Sequence, residues 1–101
     1  MSNQIPPRSS ATTAATGSVI DFSKNKVFGT ADSPITTALT TNLTNARLGT
    51  VQKTYHQAAS FSEPADWVRL GATEYVPNVL NLIYSEYCSD DRIEWWVTQE
   101  A

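Results

Sequence analysis

The chain predicts an all-β fold, and three observations carry the prediction. Six or seven short runs rich in β-branched and aromatic residues follow one another over residues 18–101. Turn residues interrupt them roughly every 8–12 positions, the spacing of a β-sandwich or barrel. No segment shows the sustained apolar spacing of an amphipathic helix. The expected architecture is a small antiparallel β-sandwich or jelly-roll-like knob over residues 18–101, preceded by an extended arm over residues 1–17. At 101 residues there is room for one domain, and a core this small makes oligomerisation a natural source of further stability.

Residues 1–17, MSNQIPPRSSATTAATG, hold only Met1 and Ile5 as large apolar side chains. Such a segment cannot bury enough surface to offset its ordering entropy. Pro6-Pro7 stiffens it into an extended form, and the Ser/Ala/Thr/Gly run that follows has the composition of a linker or docking arm. Ile5, Pro6, Pro7 and Arg8 are its candidate docking residues.

Val19–Phe22 and Lys26–Phe28 read as two short strands about the turn residues Ser23, Lys24 and Asn25. Gly29 and Asp32-Ser33-Pro34 then break the chain. Ile35–Thr44 fits a helix by Ile35, Leu39 and Leu43, yet its strict alternation and its threonines favour a strand. Asn45 to Gly49 is a turn. Thr50–His56 follows as a strand with Val51, Lys53 and Tyr55 on one face. Residues 57–66 form a loop containing Pro64, Trp67–Leu70 is a short strand ended by Gly71, and Pro77 marks an edge or turn.

The chain closes on its densest aromatic stretch. Leu80–Cys88 and Arg92–Gln99 read as a hairpin about Ser89-Asp90-Asp91. Ile83 and Tyr87 with Ile93, Trp95 and Val97 make one fully apolar face. The other face is not polar either: Leu80, Leu82, Tyr84 and Trp96 occupy it. A hairpin with one solvated face alternates cleanly, so two apolar faces mean burial on both sides, within the domain or between subunits. Leu82, Tyr84 and Trp96 are the candidate subunit-interface residues.

Charge is uneven along the chain. Residues 1–60 hold five basic residues against two acids, and residues 61–101 hold two against eight, for a net charge of −3. There is no dense Lys/Arg patch of a nucleic-acid binder and no apolar run long enough for a transmembrane helix. The N-terminus lacks the pattern of a secretory signal, so the Asn42-Leu43-Thr44 sequon is read as a chance match. Cys88 is the single cysteine and reads as a small apolar residue.

Catalytic constellations are thin, and the expectation is that the protein is not an enzyme and uses no cofactor or metal. His56, the only histidine, reads as structural. Glu86, Asp90, Asp91 and Glu94 offer oxygen ligands for calcium or paired carboxylates, but turn-formation and pairing with Arg92 suit them better. Trp67 and Tyr75 are candidate glycan contacts, since flat sugar faces stack on aromatic rings; core packing is the competing use of such residues.

The run SPITTALTTNLTNARLGTVQKTYH, then a proline-containing loop, then NLIYSEYCSDDRIEWWVTQ, resembles modules in fibre and decoration proteins of tailed bacteriophages. The likeness spans residues 18–101 at the level of pattern, and the long repetitive shaft of tail fibres is missing. It implies an all-β knob, commonly trimeric, on the surface of a virion assembled in a bacterial cytoplasm. A short arm plus a knob suits a head fibre or capsid decoration protein. The implied partners are further copies of the chain and a capsid or other virion protein. The alternative is a tail-tip or lectin-like module that binds host surface glycans.

Overall fold

The protein is described here by a computed structural model over residues 18–99. The candidate docking residues Ile5, Pro6, Pro7 and Arg8 lie outside the described residues. Seven strands and, among the described residues, no helix make up the fold: β1 (Val19–Asp21), β2 (Val27–Phe28), β3 (Thr40–Asn42), β4 (Val51–His56), β5 (Trp67–Arg69), β6 (Asn81–Ser89) and β7 (Arg92–Gln99). They form two sheets, one of five strands in the order β2-β4-β6-β7-β5 and one pairing β1 with β3.

The centre of the larger sheet is the expected hairpin. β6 and β7 pair antiparallel across a tight Asp90-Asp91 turn, with Ser89 opposite Arg92 and a register irregularity at Cys88. β4 pairs antiparallel with β6 on its other side. Side chains alternate along β4, β7 and β6 up to the irregularity at Cys88, so one set faces inward and the other outward, although Leu82 is buried on the outward side as well. Ile83, Ile93, Trp95 and Val97 turn inward and join Ile20, Phe22, Phe28, Ile35, Leu39 and Trp67 in one core. Ile20 and Phe22, on and just after β1, and Leu39, just before β3, reach that core from the smaller sheet. The smaller sheet thus lies on the inner side of the larger one.

Three features depart from the expected pattern. The pairing is mixed rather than antiparallel: β1 with β3, β2 with β4 and β5 with β7 all run parallel. Parallel neighbours need long crossovers, and the intervening loops supply them. Next, β1 and β2 do not pair but separate into different sheets. The turn between them is instead held to β4 by the buried Gln52. Its Nε2 donates to the carbonyls of Asp21 and Lys24, and its Oε1 accepts from the Lys26 N–H. Finally, only Thr40–Asn42 of the threonine-rich segment is strand. Ile35 makes a single bridge to His56 in the large sheet, and the chain then crosses to the small one. Ile35 and Leu39 are buried as anchors of this crossing, with residues 36–38 exposed between them.

Gly29 is required where it stands. Its φ is +73°, and a Cβ there would lie 3.0 Å from the Tyr55 carbonyl oxygen and 3.2 Å from Ile35. The close approach lets the Ile35 N–H reach the Tyr55 carbonyl at 2.8 Å.

Candidate functional site: the outer sheet face and the loop cleft

The inward side of β4 is polar, yet it is buried: Gln52, Thr54 and His56 are each at most 1% exposed. Burial of such groups costs free energy unless they are hydrogen-bonded, and two of the three are used as latches. Gln52 holds the β1–β2 turn. His56 bridges Thr37 and Tyr75, with both ring nitrogens engaged at 2.8 Å. A carbonyl oxygen only accepts, so Nε2–H donates to Thr37 and Nδ1 accepts the Tyr75 hydroxyl proton. The Tyr75 oxygen in turn accepts the Ala58 N–H at 2.8 Å. Burial lowers the His56 pKa below its usual 6.5, opposed by the bond to Thr37. Asn81 plays the same part further along. It donates to the Val76 and Val79 carbonyls and accepts from the Val76 N–H and from Gln99.

The outward side is the reverse. The pairing places Lys53, Tyr84 and Trp96 at one level across β4, β6 and β7. Val51, Glu86 and Glu94 form the level on one side of these, and Tyr55, Leu82 and Thr98 the level on the other. Tyr84 and Trp96 stack nearly parallel, 11° apart with centroids at 5.9 Å, and the Lys53 ammonium sits 4.8 Å above the Tyr55 ring. Val27 and Val68 extend the face onto the flanking strands by register. All of these apolar residues but Leu82 remain half-buried, and none belongs to the core cluster or packs on it. Glu86 and Glu94 face each other directly, and Arg92 offsets the repulsion through a 2.8 Å bond to Glu94. Burial first, then these two carboxylates, pushes the neighbouring Cys88 thiol up, keeping it protonated.

The sequence-based candidates are distributed as follows. Tyr84 and Trp96 lie in the middle of the outer face. Leu82 shares the face but is already 8% exposed within the single chain, crowded by its neighbours, so it has little left to offer a partner. Trp67 is corrected: it is 4% exposed, a core residue opposite Ile93, with its indole N–H donating to Thr41 at 3.1 Å. Its ring is not open to stack a sugar. Tyr75 is half-buried and lines an open cleft of about 410 Å³ with Phe61, Trp95, Arg69, Glu63 and Glu74. Phe61 and Tyr75 stack on one another at 5.3 Å, and Arg69 is held by the Gly71 and Thr73 carbonyls. Phe61 and Arg69 were not singled out from the sequence. Phe61 stands alone in a small-residue loop, and only the fold brings it to Tyr75.

The acidic residues about the hairpin turn go separate ways. Asp90 accepts the Tyr87 hydroxyl at 2.5 Å, which raises the Tyr87 pKa, and Glu94 pairs with Arg92. Among the described residues no group of three metal-ligating side chains converges.

Fold and surface together define a small all-β domain of two sheets, with one face of the larger sheet lying outside the core and mixing apolar and aromatic side chains with Lys53, Glu86, Glu94 and Thr98. No protein-family model matches the chain, and no similar curated protein or solved structure is found.

Proposed function

We infer that this chain is a structural subunit that works by associating with copies of itself, a short head fibre or capsid decoration protein of a bacteriophage particle. One observation carries the self-association: the outer face of the five-stranded sheet, with the Tyr84–Trp96 stack at its middle. Large apolar and aromatic side chains grouped on a sheet face outside the core, with charged residues about them, are a usual mark of a contact surface. The placement on a virion follows from the resemblance of residues 18–101 to phage fibre and decoration modules. Residues 1–17 would attach the sandwich-like knob to a capsid or tail protein through extended main-chain contacts.

Deleting residues 1–17 tests the attachment. The shortened protein is expected to keep its fold and its mass in solution but to be missing from purified particles. A shortened protein that still decorates particles at the normal level would sink the docking role.

The Tyr75 cleft favours a second reading, a module that binds host surface glycans. Its polar rim of Arg69, Glu63 and Glu74 over aromatic side chains is the make-up of a saccharide site. A change in tryptophan emission on titration with a glycan panel, abolished by Arg69→Ala, would support this alternative.

A further inference from the structure

We propose that the cleft beside Tyr75 takes a saccharide carrying a free, protonated amine, with the ammonium held by Glu63 and Glu74 and the sugar ring laid against Phe61 and Tyr75. This rests on the glycan reading of the cleft and names the class of sugar.

The walls come from segments far apart in the chain. Phe61 and Glu63 belong to the loop before β5, Arg69 to the end of β5, and Glu74 and Tyr75 to the loop after it. Trp95 of β7 also lines the cleft, in register with Arg69. Phe61 packs on both other aromatics, with ring centroids 5.3 Å from Tyr75 and 5.2 Å from Trp95. Phe61 and Tyr75 are only half-buried, so each keeps open ring surface, which Trp67 does not.

These walls are pinned from three sides. The Tyr75 hydroxyl bonds His56 Nδ1 and accepts the Ala58 N–H, both at 2.8 Å. Gln99 donates to the Glu74 carbonyl at 2.9 Å. Arg69 Nη1 donates to the Gly71 and Thr73 carbonyls at 3.2 and 2.8 Å. A wall already held in place lowers the ordering cost of binding. The cleft, of about 410 Å³, has room for one sugar ring and its substituents.

Charge selects the substituent. The rim sets two carboxylates against one guanidinium, and one nitrogen of that guanidinium is tied to loop carbonyls. Glu63 and Glu74 are exposed, and neither carboxylate has a hydrogen-bond or ion-pair partner among the described residues. The other lining side chains are uncharged. The rim therefore carries one negative charge in excess, within the half of the chain that holds eight acids against two basic residues. A sugar bearing a carboxylate meets this excess as repulsion, and a neutral sugar leaves it uncompensated. An ammonium on the ring compensates it through charge-assisted hydrogen bonds, and the aromatic rings attract the same cation. A neighbouring cleft shares Ala59, Ser60 and Phe61, but Thr36, Thr37 and Ser62 line it with hydroxyls and no carboxylate. The excess charge is thus particular to the Tyr75 side.

An NMR titration of the full, ¹⁵N-labelled chain at about pH 6, where a sugar amine is protonated, tests the selection. The probes are the methyl glycosides of glucosamine, N-acetylglucosamine and glucose, the matching galactose series, and n-butylammonium as an amine without a sugar. A free-amine glycoside is expected to shift the signals of Phe61, Glu63, Glu74, Tyr75 and the Trp95 indole, with a Kd on the order of 1–10 mM. Its N-acetyl and hydroxyl counterparts are expected to bind at least about tenfold more weakly, and n-butylammonium more weakly as well. Glu63→Gln combined with Glu74→Gln is expected to abolish the preference for the amine, with the same spectrum checking the fold. Each single variant, expected to reduce the preference about threefold, gives a second route should the double variant not fold. Equal affinity for the three glycosides of a series, or an amine preference that survives in the folded variants, overturns the selection and leaves the glycan reading standing. If n-butylammonium binds as tightly as the amino glycoside, the ring adds nothing and the saccharide is overturned. Shifts confined to residues away from the cleft overturn the site. Absence of binding by every probe at about 50 mM removes the glycan reading together with the proposal.

Discussion

The two faces of the five-stranded sheet both mix polar and apolar residues, but they use the polar ones differently. The inner face sets Gln52, Thr54, His56, Asn81 and Ser85, all buried, beside the core side chains Ile83, Ile93, Trp95 and Val97. The outer face carries Val51, Tyr55, Leu82, Tyr84 and Trp96 by the same pairing registers, with Lys53, Glu86, Glu94 and Thr98 among them. The difference lies in what each face must hold. The inner face meets loops and crossovers whose backbone groups would otherwise be unpaired, and long polar side chains satisfy them. The outer face meets no element of the described residues and is free to be apolar. Burial here follows the demand for hydrogen-bond partners as much as hydrophobicity.

Adjacent positions on β6 test this contrast most strongly. Ile83 is fully buried in the core, and Ile83→Ala is expected to destabilise the fold by about 2–5 kcal/mol, read as a lower urea midpoint. Tyr84→Ala, one residue on, loses only the stack on Trp96 and part of the outer surface. About 0.5–1.5 kcal/mol is expected for it, measured at low concentration where the chain is dilute. Equal losses at the two positions would mean that the outer face is covered within the single chain, and the contrast would fail.

A smaller effect probes the polar latch. Burial lowers the His56 pKa below 6.5. Between that lowered value and about 6.5 the folded state binds fewer protons than the unfolded one, so stability rises with pH across the window. The contribution is complete above the unfolded value and is lost as pH falls through the window. Unfolding measured between pH 7.5 and pH 5 should therefore show a decline that His56→Gln flattens. Tyr75→Phe leaves His56 Nδ1 and the Ala58 N–H without a partner and should cost about 1–3 kcal/mol at neutral pH. A pH profile identical in wild type and His56→Gln would remove the latch from the account.

Much of this was legible in the residues. The hairpin, its two apolar faces and the inward set Ile83, Tyr87, Ile93, Trp95 and Val97 follow from period-two alternation, which needs no tertiary information. The parallel pairings were not legible, because they depend on crossovers between segments far apart in sequence. β1 and β2 look like a hairpin locally, yet Gln52 in β4 takes up the backbone groups that a hairpin would have paired. On β4 the face of Val51, Lys53 and Tyr55 is the more apolar, and it is the outward one. Alternation identified the two faces there but not their direction. Trp67 misleads in the same way: an aromatic in a short strand fits a core and a sugar platform equally well, and its burial in the core separates them.

The subtlest expected effect concerns the one polar group on the inner side of β4 that is not a latch. Thr54 Oγ1 is buried and, among the described residues, has no hydrogen-bond partner. Ser85 and Trp95, which face each other directly across β6 and β7, share this condition. A hydroxyl in such a place has lost water and gained nothing, whereas Gln52 and His56 on the same strand have replaced it. Thr54→Val keeps the branched shape and removes the oxygen, so it is expected to stabilise the fold by up to about 1 kcal/mol. The sign is what matters. A gain would mean that polar residues face the core of this domain only where a loop needs them, and that Thr54 is held there by shape. A loss of 1 kcal/mol or more would mean that Thr54 is also a latch, with a bound water as its partner, and the inner face would then be a continuous polar network from Gln52 to His56.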